Sequence, residues 1–205
     1  MSYDRLDIIS VKNKIDKYLI NTPVLRFDFV DSLCNCEVFF KCENFQHTGS
    51  FKYRAALNAI KSIPNSYKKR GVITHSSGNF AHALSRAASE LNISCYIVMP
   101  SNTPDFKKMS VLKYTENIIE CKPTLEAREH MTKKVMSEKN LFFLHPSNNM
   151  DVILGNSTCA FEFFEENQNL DYIFSPVGGG GLIAGTCIAM NHFSKNFQVI
   201  GAEPS

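Results

Sequence analysis

The sequence predicts an α/β protein built on parallel sheets, and three observations carry that prediction. Short apolar runs alternate with longer helical periodicities along almost the whole chain. The runs are rich in Val, Ile and Phe and too short to be helices of their own. Several of them end in Ser, Asn or Gly where the next helix opens, as the turns of βαβ units do.

In chain order, "VKNKIDKYLI" sets Val11, Ile15, Tyr18 and Leu19 on one helical stripe that ends before Thr22-Pro23. "EVFFKCE" reads as a strand, and a helix is expected from Ser50 to Ile63, with Ser50 as its cap. The basic turn "NSYKKRG" follows. Strand "VITHSS" then precedes helix "NFAHALSRAASEL", and strand "CYIVMP" precedes helix "DFKKMSVLKY". Strand "NIIEC" precedes helix "LEAREHMTKKVMSE", which Thr124 is placed to cap. Strand "LFFLHP" completes this set, and helix "DVILGNSTCAFEFFEE", strand "YIFSPV", helix "LIAGTCIAM" and strand "QVIGAE" finish the chain. Ending just after a parallel strand leaves a sheet uncovered, so a fragment or truncation is expected.

Composition excludes several function classes. The 205 residues are 44% hydrophobic and 20% charged with net charge +2, and the two signs are mixed, so no nucleic-acid partner is expected. No apolar run approaches the roughly 20 residues that span a bilayer, so no membrane partner is expected either. "MSYDRLDIIS" lacks the pattern of a secretory signal. Seven scattered cysteines with no C-x-x-C pair read as reduced core residues of a cytoplasmic protein, not as a disulfide or zinc framework.

Three strand-to-helix or loop-to-helix junctions carry chemistry. In "SPVGGGGLIAG", Gly178, Gly179, Gly180 and Gly181 follow a strand and open a helix, so their bare backbone can aim several N–H groups at one phosphate. No Lys-Ser/Thr follows and the spacing is not G-x-G-x-x-G, which excludes the nucleotide P-loop and the dinucleotide fingerprint. In "THSSGNFAHAL", Ser76, Ser77, Gly78 and Asn79 set hydroxyls and an amide at a second junction, where helix capping is the competing explanation. In "GSFKYRAALNAI", Lys52 follows Phe51 near a helix start; it is either a solvated lysine or one whose lowered pKa suits it to imine chemistry. A phosphate cradle, an imine lysine and a hydroxyl/amide turn together meet the needs of pyridoxal 5'-phosphate.

With "HTGSFKYRAALNA", "THSSGNFAHAL", "HPSNN…ILGNSTCAFE", "PVGGGGLIAG" and "GAEPS" in this order, the chain resembles the serine racemase and serine/threonine dehydratase family of fold-type II pyridoxal-phosphate enzymes, over its whole length. The resemblance implies two three-layer parallel-sheet domains of the tryptophan synthase beta-like kind. Residues 68–147 would form the small domain and residues 1–67 plus 148–205 an incomplete large one. It implies racemisation or α,β-elimination on a small hydroxy-amino acid, serine or threonine, to a 2-oxo acid and ammonia, and a homodimer when full length. Lys52 would carry the cofactor and act as base on one face of the substrate Cα. Ser77 would be the acid/base on the other face, where threonine dehydratases commonly have alanine. Asn79 would bond the ring oxygen, Phe51 would pack beside the ring, and Gly178 to Gly181 would hold the phosphate. Ser76, Ser77 and Gly78 would receive the substrate carboxylate, and Glu203 would ligate Mg2+ or Mn2+.

The chain departs from the family at Phe80 and His82, where His and Gln are common, at Ala55-Ala56, at Gly155-Asn156-Ser157-Thr158 and at "YTE". The family's chain continues past "AEPS" to a serine facing the pyridine nitrogen. A catalytically silent homologue that binds a full-length partner is therefore an alternative. β-Replacement of the cysteine synthase type is a lesser one, since "KYR" and "SSGNF" stand where those enzymes carry K-D-R and T-S-G-N-T.

Overall fold

The computed structural model describes residues 5–167, 169–193 and 198–204. Residues 1–4, 168, 194–197 and 205, all within the segments assigned to the large domain, lie outside the described residues. The first elements are α1 (Arg5–Ile15), β1 (Val24–Arg26), α2 (Asp28–Cys34), β2 (Phe39–Lys41), α3 (Lys52–Ser62) and the short α4 (Asn65–Lys68). Next come β3 (Val72–His75), α5 (Asn79–Glu90), β4 (Cys95–Pro100), α6 (Asp105–Leu112), β5 (Ile118–Cys121), α7 (Leu125–Lys139) and β6 (Phe142–Phe143). Last are α8 (Met150–Glu166), β7 (Tyr172–Pro176), α9 (Gly181–Phe193) and β8 (Gln198–Ala202).

β3 to β6 form one parallel sheet in the order β5-β4-β3-β6. Side chains alternate across it with the period of two that strands impose. Val72, Ile97 and Met99 join Ala83, Leu84 and Ala87 of α5 on one face. Ile73 and Val98 meet Val135 of α7 on the other. Both faces are covered, which gives three layers and explains why these strands read as continuous apolar runs. β7 and β8 form a second parallel pair, with Pro176 opposite Ala202. The class is α/β, as expected. An antiparallel ribbon of β1 and β2 is an addition to it.

Between the sheets α3, α8 and α9 stack closely. Every residue of α3 from Tyr53 to Ile60 is buried, as is α8 from Leu154 to Phe164. Glycine permits the contact at both crossings. A Cβ on Gly155 of α8 would stand 2.6 Å from the Arg54 carbonyl oxygen and 2.7 Å from Ala55 Cα. One on Gly185 of α9 would stand 2.7 Å from the Ile153 carbonyl oxygen. The small residues at Ala55-Ala56 and Gly155-Asn156-Ser157-Thr158 thus keep helix axes close enough for their first turns to converge.

Capping corrects one expectation. Thr124 does cap α7, accepting from the Ala127 N–H at 3.1 Å. Ser50 does not cap α3. The N-cap position is Phe51, and the buried Ser50 Oγ has no hydrogen-bond partner among the described residues. The reason is local backbone: Thr48 and Gly49 are both left-handed, at φ 63° and 71°, and Ser50 is extended, so the chain swings into the helix one residue late.

Candidate active site

Lys52 and the glycine loop both meet the segment His145–Asn148, which links β6 to α8. Lys52 opens α3 half-buried, and its Nζ donates to the Pro146 carbonyl at 3.2 Å. The same nitrogen lies 4.9 Å from the centre of the Phe51 ring. Burial alone pushes the Lys52 amine below the usual lysine range. A buried ammonium without a carboxylate is disfavoured, so the amine is drawn toward the neutral form that attacks a carbonyl.

The glycine loop meets the next residue of that segment. A Cβ on Gly179 would lie 2.4 Å from Ser147 Oγ, and one on Gly181 3.1 Å from the Ser147 carbonyl oxygen. Gly180 is left-handed at φ 79°. Cβ atoms on Gly178 and Gly180 would meet nothing within 4 Å, so those two positions border open space. The first amides of α9 lack intrahelical acceptors and point out of its positive end, which suits an anion. Two buried polar groups below the loop also lack partners among the described residues: Ser175 Oγ and both amide atoms of Asn156. Asn156 Nδ2 is 3.2 Å from where a Gly181 Cβ would stand. An open glycine cradle, orphaned polar groups and a partly desolvated lysine fit a phosphorylated aldehyde.

At the third junction the contact with this segment is made by His75, the residue before Ser76. The His75 ring, at the end of β3, lies 5.7 Å edge-on from that of His145. Ser76, Ser77 and Gly78 follow, half-buried, and Asn79 begins α5 exposed. Capping does not occupy them: the N-cap is Gly78, with no side-chain cap, and Ser76 Oγ accepts the Gly78 N–H, at 3.3 Å. Phe80 is buried in the core below, so it lines no polar site. His82 instead lies against Tyr114, ring centres 5.8 Å apart. Glu203 is exposed, just past Ala202, whose carbonyl accepts the Val177 N–H at 2.8 Å. Among the described residues no group of three or more His, Cys, Asp or Glu side chains could hold a metal ion, so Glu203 gains no co-ligands there.

A buried ion cluster behind Lys52 escapes sequence reading. Arg54, fully buried, donates to Glu43 at 2.8 and 2.9 Å and to Glu162 at 2.7 and 2.8 Å, and Lys41 reaches Glu162 at 3.2 Å. Burial raises the Glu162 carboxyl, but hydrogen bonds and charge from Arg54 and Lys41 outweigh it and hold the group below its usual range. The visible signal is one arginine inside "FKYRAALNAI", where solvent should not reach.

The family of pyridoxal-phosphate dependent enzymes matches residues 15–205. The chain belongs to it. The chain is 43% identical over 198 residues to the serine racemase of Dictyostelium discoideum, covering 97% of this chain and 61% of that one. It is 41% identical to the beta-hydroxyaspartate dehydratase of Paracoccus denitrificans, covering 97% of this chain and 63% of that one. The solved structure of maize serine racemase superposes with a TM-score of 0.96 at 35% identity, over 100% of this chain and 62% of that one. The chain therefore spans about three fifths of the length of these relatives. Its fold is that of the fold-type II members.

Proposed function

We propose that this chain builds the lysine and phosphate side of a pyridoxal-phosphate site for racemisation or α,β-elimination of serine or threonine. The observation that carries the proposal is the convergence of Lys52 and the four-glycine loop on Pro146 and Ser147. The names and identities of the relatives support the reaction class.

Pyridoxal phosphate, when bound, supplies an electron sink that stabilises negative charge at the substrate Cα. Gly178 to Gly181 would bind its phosphate through backbone N–H groups, Asn79 its ring oxygen, and Phe51 one edge of the ring. Lys52, desolvated and biased toward the neutral amine, would hold the aldehyde carbon and then take the Cα proton on its own face. Ser77 would exchange a proton on the opposite face, while Ser76 and Gly78 receive the substrate carboxylate. Two acid/base groups on opposite faces give inversion, and proton removal with loss of the β-hydroxyl gives elimination.

We place this site between a part formed by residues 1–67 with 148–205 and one formed by 68–147, working in a reducing cytoplasm consistent with seven free cysteines. Phe29 and Leu33, 77% and 75% exposed on α2, support pairing of two copies. The test is to supply the full chain with pyridoxal phosphate and L-serine, following D-serine by chiral chromatography and 2-oxo acid by coupled reduction. Lys52→Ala should abolish both products, and Ser77→Ala should remove D-serine while sparing the 2-oxo acid more. Cofactor binding without either product would favour a silent homologue.

A further inference from the structure

His145 is a strand-end histidine that the chemistry above leaves without a role, yet it sits where the site is joined. Its Nδ1 accepts two backbone N–H bonds, from Ser147 at 3.1 Å and Asn148 at 2.8 Å. That arrangement is the one Asn and Asp side chains make when they close a turn on N–H groups two and three residues on. Between acceptor and donors lie the two groups that the site converges on: the Pro146 carbonyl that receives Lys52, and Ser147, which abuts Gly179 and Gly181.

We infer that His145 is a positioning residue whose neutral Nδ1 holds the Pro146–Ser147 turn, and through it the relative placement of Lys52 and the glycine loop. The inference rests on reading those two features as a cofactor site. Accepting both N–H groups requires a bare Nδ1, so the proton of the neutral ring resides on Nε2. A second proton on Nδ1 would convert the acceptor to a donor facing two donors, and the turn would open. Every charged neighbour bears on this. Lys52 on α3 opposes a positive ring, Glu129 on α7 favours it, and His75 on β3 lies edge-on with Arg128 of α7 beyond it. Burial outweighs Glu129 and, with Lys52, keeps the ring below its ordinary range.

The sign follows from that direction. Opened chains take up a proton that the closed turn refuses, so the turn is intact at neutral pH and weakens as pH falls below the ordinary imidazole value of about 6.5. His145→Asn offers an Oδ1 acceptor that cannot be protonated, in an Asn-Pro sequence that favours turns. His145→Leu offers none.

The experiment has two arms on the full chain. Imidazole 15N NMR of His145 without cofactor should show the Nε2–H tautomer, charging only below pH 6.5. Pyridoxal-phosphate affinity, read by absorbance from pH 8 to 5, should match between wild type and His145→Asn at pH 8. Below pH 6.5 wild type should fall away from that variant by up to about tenfold per pH unit, the limit for one linked proton. His145→Leu should bind weakly at every pH. An Nδ1–H tautomer, or an acid loss identical in wild type and His145→Asn, would overturn the assignment. If no form binds the cofactor at pH 8 although the tautomer is as inferred, it is the cofactor reading that fails, and the inference falls with it.

Discussion

Replacing Arg54 by methionine keeps the stem volume and removes the guanidinium that four charge-assisted hydrogen bonds join to Glu43 and Glu162. The intact cluster is neutral, two cations (Arg54 and Lys41) against two carboxylates, and the variant leaves it at −1 in a largely buried site. Glu162 keeps Lys41 at 3.2 Å, and Glu43 keeps the Thr22 hydroxyl at 2.6 Å, so one carboxylate remains partnered by charge and the other only by a neutral donor. Breaking a buried pair costs about 3–5 kcal/mol, and the partners left in place put this case near the low end, about 3 kcal/mol. For a chain of this size that lowers Tm by roughly 6–12 °C. Urea unfolding of Arg54→Met and of Arg54→Met/Glu43→Gln reads it directly. The second change restores neutrality, so the double variant should recover a large part of the loss. A single variant within about 1 kcal/mol of wild type, or a double variant no better than the single, would refute the reasoning.

Two further outcomes follow from the same geometry. Lys52→Met should stabilise the cofactor-free chain by about 2 °C in Tm, because it removes a partly buried ammonium with no carboxylate partner among the described residues. Since burial lowers the lysine pKa, that penalty is present at neutral pH and vanishes as pH rises past the ordinary lysine value, so the gain should shrink in alkali. Thermal melts at pH 7 and 10.5 check it. Gly179→Ala should weaken pyridoxal-phosphate binding at least tenfold, because its Cβ would stand 2.4 Å from Ser147 Oγ and 2.8 Å from Ser147 Cβ. Ser147→Gly in the same chain should restore most of the affinity, as measured by absorbance titration.

The parts of the fold that sequence reveals are those in which local pattern and burial agree. β3 to β5 read as Val- and Ile-rich runs because the sheet is covered on both faces, and α5 announces itself by Phe80, Ala83, Leu84 and Ala87 on one side. β1 has only three residues, and α2 shows Phe29 and Leu33 to solvent, so neither gives the periodicity that burial would impose. β6 is only Phe142–Phe143, and His145 just beyond it closes a turn on the Ser147 and Asn148 N–H groups. At the site, Lys52 and the glycines stood out by composition. Ser147, Asn156 and the Arg54 partners matter through contacts that residue type alone cannot announce: Glu162 is 108 positions from Arg54. Ser50 failed as a cap because the left-handed pair before it, Thr48 and Gly49, displaced the helix start, and only Gly49 hinted at that.

The most direct measurement is chemical. The full chain, loaded with pyridoxal phosphate, is treated with borohydride, digested and mapped by mass spectrometry. A reduced pyridoxyl group is expected on the peptide carrying Lys52, absent from Lys52→Met. A label on another lysine, or no label at cofactor concentrations that saturate the absorbance titration, would contradict it.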